Sequence, residues 1–289
     1  MPTDPSTSGS DEWVAQLPAA IEACAVRWNL VLGERLPGGL VGHVFACTTR
    51  EGEAAVLKLN PPSADEFAGT PEQEAAALGA WRGRGAVELL AFAANLRALL
   101  TRRALPGTPP AEGCELDARR DVAGVLAKLF EATIPPVAFA PLAEAVDRHL
   151  VRKIAVSGEA REMLDPLIEQ ARVSARHLAT SARQQVLLHG DVMDKNLLRD
   201  HDDLLAIDPM PHVGDPHSDI GFWAATRSPA RDLDVRAAEI ARLLDCDSDR
   251  AAQWAAIYAV GSACENWRPD TTELRAWVRS ARARELLSV

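Results

Sequence analysis

The sequence predicts an α+β protein with two lobes, in which a small antiparallel β-sheet with one main helix precedes a larger, mostly helical lobe. Three observations support this prediction. Short apolar or β-branched runs, separated by glycine-bearing turns, fill residues 30–103. Beyond residue 116, apolar residues recur at three-to-four-residue spacing, which is typical of amphipathic helices. A polar stretch at 187–208, flanked by short apolar runs, interrupts that helical pattern.

Composition and charge exclude several classes of protein. The chain has 289 residues, 47% of them hydrophobic and 25% charged, so it is long enough for one large core or two lobes. A formal net charge of -10 argues against a nucleic-acid groove, because phosphate binding needs clustered Lys and Arg. The apolar run Leu89 to Leu100 is interrupted by Asn95 and Arg97 and is shorter than the roughly 20 residues of a membrane span.

Cysteine usage and the chain start bear on the compartment. The five cysteines include no C-x-x-C pair, so neither a disulfide framework nor a zinc knuckle is predicted. Met1 to Ser10 carry no Lys or Arg and no apolar segment, which indicates a flexible tail over residues 1–11 rather than a signal peptide. We therefore expect a cytoplasmic protein with no membrane, nucleic-acid or obligate protein partner.

In the first lobe, a helix is expected over Trp13 to Arg27. Strands are predicted at Leu30–Leu36, Gly42–Thr48, Ala54–Leu59, Val87–Ala93 and Arg97–Arg103. The start signal Thr70-Pro71-Glu72 predicts a helix from Pro71 to Trp81. The Pro- and Gly-bearing run from Leu105 to Pro110 marks the lobe junction, which divides the chain into a first lobe at 1–103 and a helical lobe at 104–289.

In the second lobe, helical periodicity predicts further helices on both sides of the polar stretch. They are Leu116–Glu131, Leu142–Val156, Arg161–Gln184, Asp234–Leu244, Arg250–Asn266 and Thr271–Leu287.

The polar stretch has the residue types of a metal-bound phosphate site. His189 to Asn196 is predicted to be a tight loop between two short strands, with Asp208 at the end of the second. Asp191, Asn196 and Asp208 supply hard oxygen ligands and one free base, which Mg²⁺-assisted phosphoryl transfer requires. The alternative is a polar surface turn in which Asp191 caps a strand end.

Two features of the first lobe suit a nucleotide. Gly38, Gly39 and Gly42 would let a hairpin backbone approach a triphosphate, although glycines in a hairpin can be turn formers only. Lys58 lies inside an apolar strand, where it either snorkels to the edge or points into a cleft to meet an anion. Glu74 on the next helix could pair with Lys58, or it could be a solvated surface carboxylate.

Together these features resemble the aminoglycoside phosphotransferase family, relatives of protein kinases. The resemblance is carried by the glycine hairpin, the strand Lys, the helix Glu, the H-G-D-x-x-x-x-N pattern at 189–196 and the I-D-P pattern at 207–209, and it covers about residues 30–225. Within the family, the run 205–216 is most similar to the streptomycin 6-phosphotransferase and hydroxyurea kinase branch. The resemblance implies a protein-kinase-like fold that uses ATP and Mg²⁺.

The implied activity is transfer of the γ-phosphate of ATP to a hydroxyl of a streptomycin-like aminoglycoside, for resistance or self-protection. The alternative is a kinase of another hydroxylated natural product or metabolite. The resemblance makes Asp191 the base that orients the acceptor hydroxyl, and it makes Asn196 and Asp208 the Mg²⁺ ligands. In the same loop, Met193-Asp194-Lys195 stand where the family more usually has His-x-Gly.

The resemblance also assigns the nucleotide contacts and the support of the loop. Lys58 would hold the α and β phosphates, steadied by Glu74. Backbone groups near Thr101, Arg102 and Arg103 would hydrogen-bond adenine. His189 and Asp219 would brace and anchor the catalytic loop.

The acceptor pocket is predicted between Asp191 and the C-terminal helices. Its candidate lining residues are Trp223, Glu265, Trp267 and Asp270, with acids facing ammonium or guanidinium groups and tryptophans forming apolar or cation–π walls. Core packing for the tryptophans and solvated helix ends for the acids are equally compatible with the sequence. Acids at Asp215, Asp219, Glu265 and Asp270 favour a cationic, polyhydroxylated acceptor.

Two other classes of function stay open. A metal-dependent hydrolase could hold Zn²⁺ or a two-metal centre through His189, Asp191, Asp208, His212, Asp215 and His217. That interpretation leaves Lys58, Glu74 and the glycine hairpin unexplained. A catalytically silent nucleotide-binding regulator is the other class, and an ATP turnover assay separates it from a kinase.

Overall fold

A five-stranded antiparallel sheet forms the first part of the fold. The structure is a computed structural model that describes residues 5–37, 42–64, 69–110, 115–156, 158–264 and 270–288. The sheet contains β1 (Val31–Arg35), β2 (His43–Thr48), β3 (Ala54–Leu59), β4 (Leu89–Ala93) and β5 (Ala98–Arg102), in the order β1-β2-β3-β5-β4. The helix α1 (Pro5–Trp28) precedes it, and α2 (Pro71–Trp81) connects β3 to β4. The predicted strands and the predicted α2 are confirmed, with strand ends moved by one or two residues.

The central strand β3 separates two environments. Burial alternates along it, because successive side chains of a strand point to opposite faces. Leu57 and Leu59 are buried on the face that α1 covers, together with Leu17 and Cys24 of that helix. Lys58 therefore points to the other face of the sheet, towards the helical part of the chain. The position of this lysine follows from the register of a half-buried strand.

Two predicted boundaries are wrong. The helix α1 begins at Pro5 and not at Trp13; proline is favoured at the first helical position because its missing N–H would be unpaired there anyway. The flexible tail over residues 1–11 stays a prediction. The single helix predicted over 271–287 is two helices, α9 (Thr271–Val278) and α10 (Ala281–Leu287). Ser280 has extended backbone angles and accepts a hydrogen bond from the Ala283 amide, so it caps a new helix.

The second part of the fold is mostly helical, as predicted. Before α9 and α10 it contains α3 (Glu115–Phe130), α4 (Leu142–Val156), α5 (Gly158–Thr180), α6 (His217–Thr226), α7 (Leu233–Leu243) and α8 (Ser248–Ala263). The short helix α6 was not predicted. It crosses α8 so closely that a Cβ on Gly221 would lie 2.6 Å from the Ala255 amide nitrogen. The first turn of α6 carries Asp219, whose carboxylate accepts the His189 and Gly190 amides of the polar loop.

Two small antiparallel sheets hold the polar loop. The strand β6 (Val186–Leu188) pairs with β9 (His212–Gly214), and β7 (Leu197–Asp200) pairs with β8 (Asp203–Ala206). The loop 189–196 therefore runs from one small sheet to the other, and Asp208 follows β8 by two residues. Gly190 has φ 76°, and a Cβ there would lie 2.0 Å from the Met210 carbonyl oxygen. Only glycine fits this turn.

The link between the two parts is attached to β7. The Arg102 guanidinium donates to Asp200 Oδ2 at 2.8 Å, and the Leu105 amide donates to Oδ1 of the same carboxylate at 2.9 Å. The sheet ends at Arg102, and the lobe boundary between residues 103 and 104 stays a prediction. None of the helices that the structure describes is long and apolar enough to cross a membrane.

Candidate active site

A buried carboxylate on α2 holds the strand lysine. Lys58 Nζ donates to Glu74 Oε1 at 2.8 Å and to Oε2 at 2.9 Å. Asn60 Nδ2 donates to Oε2 at 3.1 Å, so both oxygens of the carboxylate are bonded. Thr70 and Gln73 form a reciprocal capping box at the start of α2, which fixes where the helix begins. Glu74 is 7% exposed, so the alternative of a solvated Glu74 is wrong.

Lys58 also contacts Asp208 through Oδ1. Burial alone would lower the pKa of Lys58, but the negative charges of Glu74 and Asp208 outweigh that effect and raise the pKa. Burial alone would raise the pKa of the Asp208 carboxyl, but the Lys58 ammonium outweighs burial and holds this pKa below its usual value. The lysine is therefore a cation and Asp208 a carboxylate at neutral pH.

Asp208 is placed by an unusual backbone conformation. Its φ is 57°, in the left-handed region that few non-glycine residues adopt. The preceding Ile207 amide donates to the Asn196 carbonyl oxygen at 2.9 Å, which ties the segment carrying Asp208 to the end of the polar loop. The Asp208 side chain is 45% exposed. The structure thus brings Asp208 to Lys58 and leaves part of its carboxylate accessible.

The start of the loop is bound by Asp219 from the first turn of α6. The carboxylate accepts the His189 amide at 2.7 Å and the Gly190 amide at 2.9 Å. Asp219 is 1% exposed, and burial raises its pKa to about 6. The group is therefore still mostly ionised at neutral pH and accepts both hydrogen bonds.

The His189 ring is buried and neutral. Burial lowers its pKa to about 4. Nε2 lies 3.1 Å from the Ile207 carbonyl oxygen, and Nδ1 lies 3.3 Å from the Asp191 amide nitrogen. Because a carbonyl only accepts, Nε2 carries the hydrogen and Nδ1 accepts from Asp191. The ring also stacks on Trp81, with centroids 6.0 Å apart, so His189 connects α2 to the loop.

Asn196 holds Asp191 from the other end of the loop. Its Nδ2 donates to the Asp191 carbonyl oxygen at 2.9 Å and to Oδ2 at 2.7 Å. Both residues are buried. Since the amide nitrogen makes both bonds, the Asn196 Oδ1 atom remains as an acceptor for another partner. The structure therefore brings together the residues predicted as base and metal ligands.

Two backbone N–H groups of the predicted adenine-binding segment already have partners within the protein, and adenine contacts through the other backbone groups of residues 101–103 stay a prediction. The Arg102 amide donates to the Glu88 carbonyl at 2.9 Å, and the Arg103 amide donates to the Ala54 carbonyl at 3.0 Å. These two N–H groups are used within the sheet, because strand-like pairing continues to Arg103. They are not available as donors to a base. Thr101 lies in β5, paired with Val56 and Leu89.

The predicted glycine hairpin is only partly described. Gly38 and Gly39 lie outside the described residues. At Gly42, an added Cβ would lie 3.1 Å from Asn60 Oδ1 and 3.4 Å from Lys58 Cε. The missing side chain at this position lets β2 begin against the residues that hold Glu74.

One of the predicted acceptor residues, Trp223, does not face a cleft. Trp223 is 1% exposed, so its ring is not the wall of an open pocket. Asp270 precedes α9 and its carbonyl accepts the Leu274 amide at 2.9 Å, as a helix start requires. Glu265 and Trp267 lie outside the described residues. Asp219 is buried against the loop backbone, so it does not attract a cationic acceptor by direct contact.

Asp215 forms a second buried network. Its Oδ2 accepts from Arg250 Nε at 2.6 Å and from Trp254 Nε1 at 2.7 Å, and its Oδ1 bonds His217. Asp215 and His217 are thus engaged with α8 and not with Asp191. Among the described residues, no group of three or more His, Cys, Asp and Glu side chains could hold a metal ion. The multi-ligand centre of the hydrolase alternative is therefore not formed.

A cluster that the sequence did not reveal supports the middle of the loop. Trp223 Nε1 donates to Asp194 Oδ1 at 3.0 Å, and Arg227 forms an ion pair with the other carboxylate oxygen. The Arg227 guanidinium lies over the Trp223 ring, 5.2 Å from its centroid. The only hint in the sequence was Asp194 inside the loop, because its partners lie 29 and 33 residues away, Trp223 on α6 and Arg227 directly after it.

The family model for aminoglycoside/hydroxyurea antibiotic resistance kinases matches residues 27–270. The chain belongs to this family. Among its relatives, a hydroxyurea phosphotransferase from Kitasatospora aureofaciens is 29% identical, over 96% of this chain and 80% of the relative. A streptomycin 6-kinase from Streptomyces griseus is 30% identical, over 86% of this chain and 83% of the relative. The family and branch predicted from the sequence are confirmed.

The fold of this resistance-kinase chain matches solved structures as well. A choline/ethanolamine kinase family protein from Mesorhizobium loti superposes with a TM-score of 0.65 at 16% identity. The match covers 96% of this chain and 97% of that structure. At this identity the similarity concerns the fold alone. It confirms the predicted protein-kinase-like fold.

Proposed function

We propose that this resistance-kinase family member transfers the γ-phosphate of ATP to a hydroxyl of an aminoglycoside-type antibiotic, with streptomycin as the leading acceptor. The observation that carries the proposal is the meeting of Lys58, Glu74 and Asp208 beside the loop in which Asn196 holds Asp191. A paired cation, a base and two oxygen ligands are the parts that phosphoryl transfer uses. Residues 1–103 would hold the nucleotide, and residues 104–289 would hold the acceptor.

Asp191 is the base in this proposal. Its carboxylate would accept a hydrogen bond from the acceptor hydroxyl and orient the oxygen for in-line attack on the γ-phosphorus. The new bond joins that oxygen to phosphorus, the bond between phosphorus and the β,γ-bridging oxygen breaks, and ADP leaves. The hydroxyl proton passes to Asp191. Asn196 keeps the carboxylate oriented through its bond to Oδ2.

The donor set fits Mg²⁺. Asp208 offers an ionised, partly exposed carboxylate, and Asn196 offers Oδ1. Protein sites commonly supply one or two such oxygens to Mg²⁺, while the substrate phosphates supply others. When bound, the ion would neutralise charge on the β and γ phosphates. Lys58 would bind the phosphates next to it, and Glu74 would keep the ammonium in place.

The proposal of a cationic antibiotic as acceptor is supported by the relatives and by the net charge of the chain more than by acidic residues near the site. Asp215 and Asp219 are buried in other contacts, so the attraction for a cationic acceptor would come from the net charge of -10. Hydroxyurea is the second candidate acceptor, because the hydroxyurea phosphotransferase is matched over 96% of this chain.

The test is a transfer assay with purified protein, ATP and Mg²⁺. The panel contains streptomycin, a second aminoglycoside, hydroxyurea and a neutral polyol, and mass spectrometry identifies the phosphorylated product. Asp191→Ala and a reaction without acceptor serve as controls. We expect transfer to streptomycin that Asp191→Ala abolishes. Transfer to the polyol alone would refute the antibiotic class, and no ATP consumption with any compound would refute the kinase.

A further inference from the structure

Lys195 is the second lysine of the site and lies beside Asp191. It lies in the 3₁₀ turn Asp194–Asn196, and its Nζ is 4.0 Å from Asp191 Oδ2. Its charge also reaches Asp208: burial raises the pKa of that carboxyl, while Lys58 and, to a smaller extent, Lys195 lower it. The ammonium of Lys195 is therefore close to the base and within electrostatic reach of the metal ligand.

Lys58 and Lys195 differ in the number of partners that their ammonium groups have. Lys58 donates to both oxygens of Glu74 and to Asp208. Lys195 has no partner at hydrogen-bonding distance among the residues that the structure describes, and its side chain is 55% exposed. The separation of 4.0 Å between Lys195 Nζ and Asp191 Oδ2 is longer than a hydrogen bond. The contact with Asp191 therefore leaves the Lys195 ammonium available to another anion.

The backbone that carries Lys195 is held on both sides. Asp194 is bound by Trp223 and Arg227, and Asn196 is bound to Asp191 through its side chain. The Asn196 amide also donates to the Met193 carbonyl at 2.8 Å. The Cα of Lys195 is thus fixed while its flexible side chain is free to follow a reacting group. A fixed backbone with a flexible side chain suits a residue that contacts a phosphoryl group during its transfer.

We propose that Lys195 binds the transferring phosphoryl group and stabilises the negative charge on its oxygens in the transition state. The inference rests on the proposed function, because that function places the phosphoryl group between the hydroxyl held by Asp191 and the phosphates held near Asp208. A cation at that position lowers the barrier when it binds the transition state more strongly than the ground state. Lys58 would act on the adjoining phosphates, and Lys195 on the group that moves.

The experiment compares Lys195→Met, Lys195→Arg and wild type in two reactions, transfer to the best acceptor and hydrolysis of ATP by water without any acceptor. Lys128→Met is the matched control, because Lys128 is an exposed lysine on α3 that pairs with Asp203 away from the loop. Thermal unfolding checks that each variant is folded, and calorimetry gives the Kd for ATP. Rates are measured over the whole pH range in which wild type is active.

We expect Lys195→Met to lower both rates by the same factor, on the order of a hundredfold, as loss of one transition-state donor does. The Kd for ATP should change less than about threefold, since a contact made only in the transition state lowers kcat and not binding. Lys195→Arg should restore most of both rates, and Lys128→Met should match wild type. The loss should persist across the pH range, because Lys195 acts on phosphate and not on the protonation of Asp191.

Several outcomes would overturn this inference. Rates equal to wild type for Lys195→Met would refute it directly. A rise in acceptor KM with unchanged ATP hydrolysis would assign Lys195 to acceptor binding instead. A loss that disappears at high pH would assign it to the Asp191 proton. If wild type neither hydrolyses ATP nor phosphorylates any acceptor, the proposed function fails and this inference fails with it, whereas an active wild type leaves the two separable.

Discussion

The Asn196 side-chain nitrogen donates two hydrogen bonds to Asp191, one to the carbonyl oxygen (2.9 Å) and one to Oδ2 (2.7 Å). The carboxylate is consequently oriented by the same side chain that presents Oδ1 as a candidate metal ligand. A change at Asn196 would therefore disturb the base and the metal together. Replacing Asp191 or Asp208 separates those two roles, which makes these two residues better probes of the mechanism.

Asp191→Ala should abolish transfer and leave ATP binding intact. The loss of a positioned base costs about a thousandfold in kcat, while Lys58 and Glu74 keep their contacts in the first lobe. Steady-state kinetics and ATP calorimetry on the same preparation measure both effects. A variant with near-wild-type kcat on its best acceptor would show that Asp191 is not the base.

Asp208→Asn should raise the Mg²⁺ concentration needed for half-maximal activity by at least about tenfold and lower kcat. The substitution removes an anionic oxygen ligand and also a partner of Lys58. Mg²⁺ titrations of activity give the measurement, with Asp202→Asn, at an exposed position in the turn between β7 and β8, as the control. Unchanged Mg²⁺ dependence would remove Asp208 from the metal site.

Glu74→Gln should raise the KM for ATP at least about tenfold, because a hydrogen bond to a charged group contributes about 2 kcal/mol. The amide keeps the size of the side chain but no longer holds Lys58 by charge. Glu72→Gln, on the same helix but exposed, should behave like wild type. Equal KM values for the two variants would mean that Lys58 does not need Glu74.

Trp223→Phe should lower kcat about fivefold with little change in the Kd for ATP. The indole N–H that binds Asp194 is lost, which loosens the loop by about 1 kcal/mol, while the first lobe is untouched. Trp277→Phe, a partly buried tryptophan on α9, is the matched control. If both variants lose the same activity, the effect is one of general packing.

The titrations of Asp219 and His189 should change the free energy of unfolding in opposite directions as the pH rises. Burial raises the pKa of Asp219 from 3.8 to about 6, so its stabilising contribution is lost as the pH rises through that range. Burial lowers the pKa of His189 from 6.5 to about 4, so its contribution increases over nearly the same range. The two effects largely cancel in wild type.

Asp219→Asn removes only the pH dependence of stability that comes from Asp219 and leaves that of His189. The free energy of unfolding of the variant should therefore rise more steeply than that of wild type between pH about 4 and about 6. The difference over this span is at most about 3 kcal/mol, because a tenfold change in a protonation equilibrium corresponds to about 1.4 kcal/mol. Urea unfolding across that range measures it, and parallel curves would contradict the assignment to Asp219.

The sequence predicted the parts of the site that local pattern determines. Lys58 could be placed because an apolar strand dictates which face each residue occupies, and Glu74 because Thr70 and Pro71 mark a helix start. The roles of Asp194 and Asp215 could not be predicted, since their partners Trp223 and Arg250 lie on other helices. No local pattern encodes a contact of that range. The helix α6 was missed because it is short and its sides are nearly all buried, which removes the amphipathic signal.

Gly190 sets a limit on how this protein can evolve. Any side chain at this position would collide with the Met210 carbonyl, so the turn that delivers Asp191 admits no variation. The neighbouring loop position Met193 has φ -135° and is under no comparable restriction from the backbone. Selection for a new acceptor should therefore accumulate changes at that position and never at Gly190, and a saturation library of the loop would contain glycine alone at 190 among its active members.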